Sequence, residues 1–137
     1  MVVGKISGQL KGGRYNRLII SWYQNEQKES EVTFKDGIQD GLTTGWYQNG
    51  QKLVEETYKN GKEDGKWTSW YENGQKEYER TYKDGEEDGK WTEWYDNGDK
   101  REEGTYKDGK KDGKWTYYNE DGSINEVKEY RDGKLVK

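Results

Sequence analysis

Residues 65–88 read GKWTSWYENGQKEYERTYKDGEED, and this stretch decides the fold. It contains two turn signals, Asn73-Gly74 and Asp84-Gly85, separated by runs rich in aromatic residues and threonine. Asn-Gly and Asp-Gly favour two-residue type I′ hairpin turns, because such a turn needs a positive φ at both central positions. Aromatic and β-branched residues favour strands. The stretch therefore predicts two short antiparallel strands and no helix.

The same pattern recurs along the chain with a fixed period. An aromatic residue recurs every 24 residues, at Trp22, Trp46, Trp70, Trp94 and Tyr118, and each of the four tryptophans is followed by a tyrosine. Two series of glycines keep the same step: Gly37, Gly61, Gly85, Gly109 and Gly133, and Gly41, Gly65, Gly89 and Gly113. A period of this length is typical of repeat proteins. We predict an all-β fold, an elongated and twisted antiparallel meander of about five 24-residue β-hairpin repeats in one repeat domain.

The ends of the sequence depart from the repeat. Leu10 and Gly13 hold the phase of Phe34 and Gly37, so residues 1–17 are expected to form a degenerate N-terminal half-repeat that caps the sheet. Residues 18–133 carry the repeats, and residues 134–137 are expected to form a C-terminal tail.

Composition limits the kind of core that this chain can form. Only 27% of its 137 residues are hydrophobic, whereas 38% are charged. Composition alone would therefore favour disorder, because so little apolar surface is available to offset chain entropy. Seven Trp and twelve Tyr argue against disorder, since many of them recur at a fixed spacing. Order is therefore expected to come from aromatic packing.

Counting outward from two-residue turns predicts which side chains share a face of the sheet, because facing pairs point the same way and side chains alternate along a strand. The expected facing pairs are Gly65 with Tyr82, Trp67 with Arg80, Ser69 with Tyr78, Tyr71 with Lys76, and Tyr78 with Trp91. One face is thus expected to pack structural aromatic side chains in rows, with Lys76 and Arg80 placed for cation–π contacts. The residues assigned to this structural role are Trp67, Tyr71, Tyr82, Trp91, Tyr95 and Trp115.

The opposite face carries one aromatic stripe, beside Thr and Glu side chains. Equivalent rings lie two strands apart, about 10 Å, which is too far for the rings to stack on each other. We predict that this stripe binds a partner, because Trp and Tyr are enriched at interaction hot spots. The residues assigned to binding are Trp46, Trp70, Trp94 and Tyr118. The alternative is that these rings pack on neighbouring Thr and Glu stems, or against a curled neighbouring layer, for reasons of folding alone.

Charge and residue inventory disfavour several function classes. The formal net charge is −4, and acidic and basic residues are mixed along the chain. No nucleic-acid partner is therefore expected, and an anionic membrane is disfavoured as well. The chain contains no His and no Cys, so imidazole and thiolate catalysis and the usual transition-metal sites are missing. We expect no enzymatic activity, no metal and no cofactor, because acids such as Asp64, Asp88 and Asp112 recur with the turns.

The repeat resembles the bacterial variant of the MORN repeat (membrane occupation and recognition nexus). The segments that carry the likeness are DGKWTSWYENGQK at residues 64–76 and TYKDG at residues 81–85. It extends from about Leu10 to Gly133, although Glu26 replaces the turn glycine in the first unit and Thr43 replaces the equivalent of Trp67. The resemblance implies a β-hairpin sheet used for protein association or, in some relatives, membrane-associated scaffolding. Bacterial proteins of this kind are often labelled as antitoxin or immunity components, and others occur at cell surfaces, so it implies a toxin or a surface protein as partner.

A second resemblance leaves an alternative partner open. TGW at residues 44–46 and WTYYNEDG at residues 115–122 are similar to segments of choline-binding and glucan-binding cell-wall repeats. Those modules hold a quaternary ammonium group or a sugar between aromatic rings, for which an aromatic ladder is suited. The alternative function is therefore a module that binds a carbohydrate or a choline-type cell-wall ligand. The 24-residue frame fits the MORN variant better.

The cellular location is left open by the sequence. No apolar stretch approaches the length of a signal peptide or a transmembrane helix. A cytoplasmic location is expected if the chain is complete, and a cell-surface or secreted location is expected if a signal peptide was removed. The absence of cysteine leaves the redox compartment undetermined.

Overall fold

The computed structural model describes residues 2–11 and 14–137, which form one antiparallel β-sheet. The strands of this described part are β1 (Val2–Lys11), β2 (Arg14–Trp22), β3 (Lys28–Lys35), β4 (Ile38–Trp46), β5 (Lys52–Lys59), β6 (Lys62–Glu63), β7 (Gly65–Trp70), β8 (Lys76–Lys83), β9 (Glu86–Trp94), β10 (Lys100–Lys107), β11 (Lys110–Tyr118), β12 (Ile124–Arg131) and β13 (Lys134–Leu135). They pair in chain order, except that the two-residue strand β6 pairs with β5 beside β7. These residues contain no helix. The predicted all-β meander of hairpin repeats is confirmed.

Strands also form at both ends of the described sheet. β1 pairs with β2, with Leu10 opposite Tyr15, which places the expected N-terminal cap in the sheet. Gly13, on which the phase of that cap was partly based, lies outside the described residues. Residues 134–137, expected to form a tail, hydrogen-bond to the edge of the sheet. Leu135 pairs with Tyr130, and the carbonyl of the last residue accepts the backbone N–H of Glu129.

The Asp-Gly turns have the predicted two-residue geometry. Asp84 has φ 49° and Gly85 has φ 86°, which are the two consecutive positive values that a type I′ turn requires. The same pair of positive angles occurs at Asp36-Gly37, Asn60-Gly61, Asp108-Gly109 and Asp132-Gly133. Five hairpins therefore share one turn type, whose twist matches that of the flanking strands.

The Asn-Gly loops differ from the prediction. Gly74 has φ 87°, but Asn73 does not have a positive φ. The N–H of Gly74 donates to the Tyr71 carbonyl at 2.9 Å, and the N–H of Tyr71 donates to the Gln75 carbonyl at 2.7 Å. This pattern is a four-residue turn ending in a left-handed glycine, which produces a bulged and wider hairpin loop. The prediction of a two-residue turn at Asn73-Gly74 is therefore wrong, as it is at the equivalent loops.

The wider loop changes part of the strand register. The predicted facing pairs Gly65 with Tyr82, Trp67 with Arg80, and Ser69 with Tyr78 are confirmed. The pair Tyr71 with Lys76 is wrong, since the bulge places Trp70 opposite Lys76.

A second bulge lies in the hairpin formed by β8 and β9. Between neighbouring pairs of β8 and β9, β9 has three residues, 88–90, where β8 has only Thr81. Arg80 therefore faces Trp91, and the predicted pair Tyr78 with Trp91 is wrong. Gly89 lies in this bulge with φ 113°, a conformation that a residue with a β-carbon rarely adopts. Because the bulge adds an even number of residues, Trp91 stays on the face expected for it.

Candidate functional site

One face of the sheet uses its aromatic side chains to pack against one another. We call it the ring face and define it by Tyr58, Trp67, Tyr82, Trp91, Tyr106 and Trp115. The Trp67 ring lies 5.4 Å from Tyr58 and 4.9 Å from Tyr82, and the Tyr106 ring lies 4.9 Å from Trp91 and 5.1 Å from Trp115, measured between centroids. These separations are typical of packed aromatic pairs. Of the residues assigned a structural role, Trp67, Tyr82, Trp91 and Trp115 lie in these two clusters.

Arginine and lysine side chains extend the packing of the ring face. The Arg80 guanidinium lies 3.9 Å from the Tyr78 ring centre and 4.1 Å from that of Trp91. It also donates a 2.6 Å hydrogen bond to Glu93. The Lys111 ammonium lies 4.2 Å from the Trp115 ring centre. The predicted cation–π placement of Arg80 is thus confirmed on this face.

Tyr71 and Tyr95 were expected in the same rows, but the structure places them in the Asn-Gly loops. Their hydroxyl groups donate to the backbone carbonyls of Trp94 and Tyr118, at 2.7 and 2.8 Å. The equivalent hydroxyl of Tyr47 donates to the carbonyl of Trp70 at 2.7 Å. Burial raises the pKa of Tyr71, and nearby Glu77 adds to the effect. These tyrosines therefore connect each repeat to the next along one edge of the meander.

The opposite face carries a row in which aromatic rings alternate with lysines. We call it the ladder face and define it by the four side chains assigned to binding, Trp46, Trp70, Trp94 and Tyr118. All four are half-buried. The ammonium groups of Lys28, Lys52 and Lys76 each lie 5.8 Å from the ring centre of the tryptophan in the following repeat, Trp46, Trp70 and Trp94 respectively. Lys76 thus contacts the ladder face and not, as the sequence predicted, the ring face.

Further contacts hold the lysines and rings of the ladder face in place. Each lysine forms an ion pair with the glutamate three residues later, as Lys52 does with Glu55 and Lys100 with Glu103. A threonine lies two residues before each ring, and those at Thr44, Thr68, Thr92 and Thr116 are buried. A shallow depression lined by Gln51, Lys52, Trp70 and Gly74 leaves part of the Trp70 ring open to solvent. Sequence reasoning considered Thr and Glu stems as the neighbours of these rings and missed the lysines, because their register depends on the loop bulge.

A family model described as MORN repeat variant matches four successive segments of the chain, residues 39–60, 63–84, 87–108 and 111–132. The chain belongs to the MORN repeat variant family. Each matched segment runs from one Asp-Gly or Asn-Gly I′ turn, across the ladder-face ring and its loop, to the next such turn. No curated protein matches the chain. The ladder-face and ring-face aromatics are therefore both elements of the MORN repeat.

Strand alternation sorts charges that are mixed along the MORN sequence. In three successive units lysines outnumber glutamates on the ladder face. Lys52, Lys59, Lys62 and Lys66 accompany Glu55, Lys76, Lys83 and Lys90 accompany Glu79 and Glu86, and Lys100, Lys107, Lys110 and Lys114 accompany Glu103. The acids Glu56, Glu63, Glu87, Glu93 and Glu102 lie on the ring face. The order of charges along the chain therefore does not reveal the charge of either face, because the ratio of basic to acidic residues differs between the two faces.

The pKa values of carboxyl groups shift in opposite directions on the two faces of the MORN sheet. Burial raises the pKa of Glu102, and the neighbouring Glu93 raises it further. On the ladder face, hydrogen bonds from Lys100 and Tyr118 lower the pKa of Glu103. The surroundings of Glu103 on the ladder face thus favour the ionised carboxylate, whereas the surroundings of Glu102 on the ring face disfavour it.

Neither a group of metal-ligating side chains nor a membrane-spanning helix is found in the described part of the chain. Across residues 2–11 and 14–137, the Asp and Glu side chains form no group of three or more that could hold a metal ion. The same residues include no helix with the length and apolarity needed to cross a membrane. What the ladder face offers is a periodic surface of rings, ammonium groups and hydroxyls suited to binding.

Proposed function

We propose that this MORN repeat protein is a non-catalytic scaffold that binds a protein partner through its ladder face. The observation that carries the proposal is the different use of aromatic residues on the two faces. Ring-face aromatics pack against each other, whereas Trp46, Trp70 and Trp94 contact lysine side chains. Except for Trp115, the aromatic side chains that define both faces are half-buried, so the two faces differ in the neighbours of their rings and not in exposure. Partly exposed tryptophans held in place by neighbours lose little conformational entropy on binding, which makes them suitable hot-spot residues.

The class of partner is a finer proposal, supported by the resemblance of the repeat. A toxin neutralised by this chain, or a protein at a cell surface, would suit a surface repeated along one sheet. Equivalent positions on the ladder face recur about every 10 Å, two strands apart. A partner could therefore engage several repeats at once, and the binding energy would be divided among them.

A glycan or cell-wall ligand is the second candidate, favoured by one observation. The depression beside Trp70 joins an aromatic ring to the Gln51 amide, a combination of an apolar plate with a hydrogen-bonding group that suits a sugar. The choline variant of this idea has less support, since lysine ammonium groups already occupy the cation positions over Trp46, Trp70 and Trp94.

Co-purification from the source cell, followed by mass spectrometry, tests the main proposal. The chain and a Trp46→Ala/Trp70→Ala/Trp94→Ala variant would be compared, after circular dichroism has shown that both are folded. A protein that is retained by the chain and lost from the variant supports the ladder face as a protein-binding surface. Retention on immobilised choline or glucan, with no protein recovered, would instead support the second candidate.

Catalytic assays test the remaining part of the proposal. Hydrolase, kinase and transferase assays are expected to stay at background, because the chain has no His or Cys and its acids recur with the turns. Turnover that disappeared in a folded Asp88→Asn variant would contradict a non-catalytic role.

A further inference from the structure

A second row of lysines crosses the ladder face beside the row of rings. Lys66, Lys90 and Lys114 occupy equivalent positions in three successive repeats and are exposed. Threonines separate them along the row, with Thr81 opposite Lys66 and Thr105 opposite Lys90. Equivalent strands are two apart, so the positive charges recur about every 10 Å in a line across the strands.

Two of these lysines are not held in ion pairs. Lys66 lies 3.5 Å from Glu79, but within residues 17–137 neither Lys90 nor Lys114 forms an ion pair. Together with Thr105 and Thr116 they line a shallow depression. Lysine ammonium groups and threonine hydroxyls are donors suited to an oxyanion.

The one carboxylate beside this depression is already engaged. Glu103 accepts a 2.7 Å hydrogen bond from the Lys100 ammonium and another of 2.7 Å from the Tyr118 hydroxyl. These two donors hold its pKa below the ordinary value. Its charge is thus compensated chiefly by Lys100, with a weaker attraction to Lys90 at longer range, and neither Lys90 nor Lys114 is held in an ion pair.

We infer that the partner of the ladder face is an extended acidic peptide segment that crosses the strands along Lys66, Lys90 and Lys114. A chain in the extended polyproline II conformation advances about 3.1 Å per residue with three residues per turn, so carboxylates at every third residue would lie on one side, recur about every 9 Å and match the lysines. Side chains between them would reach the row of rings. The inference rests on the proposed function, since it specifies the chemistry of the partner on the same face.

A single-stranded nucleic acid fits the ladder face less well. Binding of that kind relies on bases that stack on open ring faces. Here lysine ammonium groups lie over Trp46, Trp70 and Trp94, and the rings recur at about 10 Å, well beyond the spacing of stacked bases. The charge of the face is therefore matched better by carboxylates on an extended protein chain.

The test uses four labelled probes and fluorescence anisotropy at low ionic strength. The probes are a peptide of five Glu-Ser-Thr units, a peptide of the same composition with its glutamates adjacent, a 15-nucleotide oligothymidine, and phosphatidylcholine vesicles containing phosphatidylserine. The whole chain is compared with Lys90→Gln/Lys114→Gln and with Arg101→Gln/Lys128→Gln, which removes the same charge from other positions. Circular dichroism checks that all three are folded.

The inference predicts that the periodic peptide binds more tightly than the other three probes. Loss of Lys90 and Lys114 should weaken its binding about tenfold, whereas the control variant should change it by less than about twofold. Absence of peptide binding, or an equal loss in both variants, would overturn the inference. Tighter binding of the oligonucleotide or the vesicles would overturn it in favour of that class of ligand.

A further comparison separates this inference from the proposed function. A co-purified protein partner that depends on Trp70 but binds Lys90→Gln/Lys114→Gln normally would overturn the acidic-segment inference and leave the proposed function intact. A partner insensitive to Trp70 and to both lysines would overturn both.

Discussion

Trp115 lies directly over Gly104, so closely that a β-carbon built on the glycine would be 2.3 Å from atoms of the indole ring. Gly104 has no positive φ, and the requirement for glycine there is therefore one of space. The close approach leaves Trp115 with 0% exposure, the one fully buried large side chain in the described part of the chain. The ring also donates its indole N–H to the Thr105 carbonyl at 3.2 Å. This pair is the most tightly packed point of the ring face.

Gly104→Ala is expected to destabilise the protein by about 1–3 kcal/mol, because the added methyl group must displace the buried ring. Urea unfolding at neutral pH measures the change. As a control, Trp115→Leu in the same background should recover part of the loss, since the smaller side chain leaves room for the methyl group. An unchanged midpoint for the single variant would show that the ring is not held in this position.

Tyr71→Phe is expected to reduce stability by about 0.5–1.5 kcal/mol, because it removes the hydroxyl that donates to the Trp94 carbonyl. Thermal unfolding measures the effect. Tyr95→Phe is the matched variant, since its hydroxyl donates to the Tyr118 carbonyl in the same way. Both variants are expected to lose a similar amount of stability, because the same hydrogen bond recurs between successive repeats. No loss at either position would mean that these bonds do not stabilise the stacking of repeats.

Glu102→Gln is expected to stabilise the protein at pH 7, because burial and the nearby Glu93 hold the pKa of Glu102 above its ordinary value of 4.5. The folded state therefore binds this proton more tightly than the unfolded state, and the unfavourable contribution of the ionised group disappears as pH falls through the folded pKa. The gain from the amide should shrink as pH approaches 4.5. Unfolding midpoints measured between pH 4.5 and pH 7 check this dependence.

The adjacent residue provides the opposite control. Hydrogen bonds from Lys100 and Tyr118 hold the pKa of Glu103 below its ordinary value of 4.5. Its stabilising contribution is present above that ordinary value and is lost as pH falls through the folded pKa. Glu103→Gln should therefore destabilise the protein at pH 7, and its effect should decrease in more acidic solution. Changes of the same sign in both variants would contradict the assignment of these carboxylates to different environments.

Much of the fold could be predicted because local turn chemistry and strand alternation act within a few residues. Asp84-Gly85 has the two positive φ values expected of it, and the pair Trp67 with Arg80 follows from the parity of the strands. The loop at Asn73-Gly74 could not be predicted, because the same dipeptide also suits a longer turn. There the Asn73 side chain accepts the N–H of Gln75 at 3.0 Å, which stabilises the asparagine outside the left-handed region.

The candidate site was predicted only in part, because its neighbours depend on the bulges. Trp46, Trp70 and Trp94 were assigned to one stripe from their spacing, and they do share a face. The position of Lys76 over Trp94 was missed, since it follows from a one-residue change of register at the loop. The excess of lysine on the ladder face was missed for a different reason. It becomes visible only when residues are sorted by face instead of being counted along the chain.

The central claim is that the ladder face binds and the ring face supports the fold, and Trp70→Ala compared with Trp67→Ala tests it most directly. Titration calorimetry with the co-purified partner would be combined with thermal unfolding of both variants. We expect Trp70→Ala to weaken binding by about 2 kcal/mol or more and to lower stability less than Trp67→Ala, because Trp67 packs against Tyr58 and Tyr82. If Trp70→Ala instead unfolds early and binds normally once folded, the ladder-face rings belong to the core and the binding surface lies elsewhere.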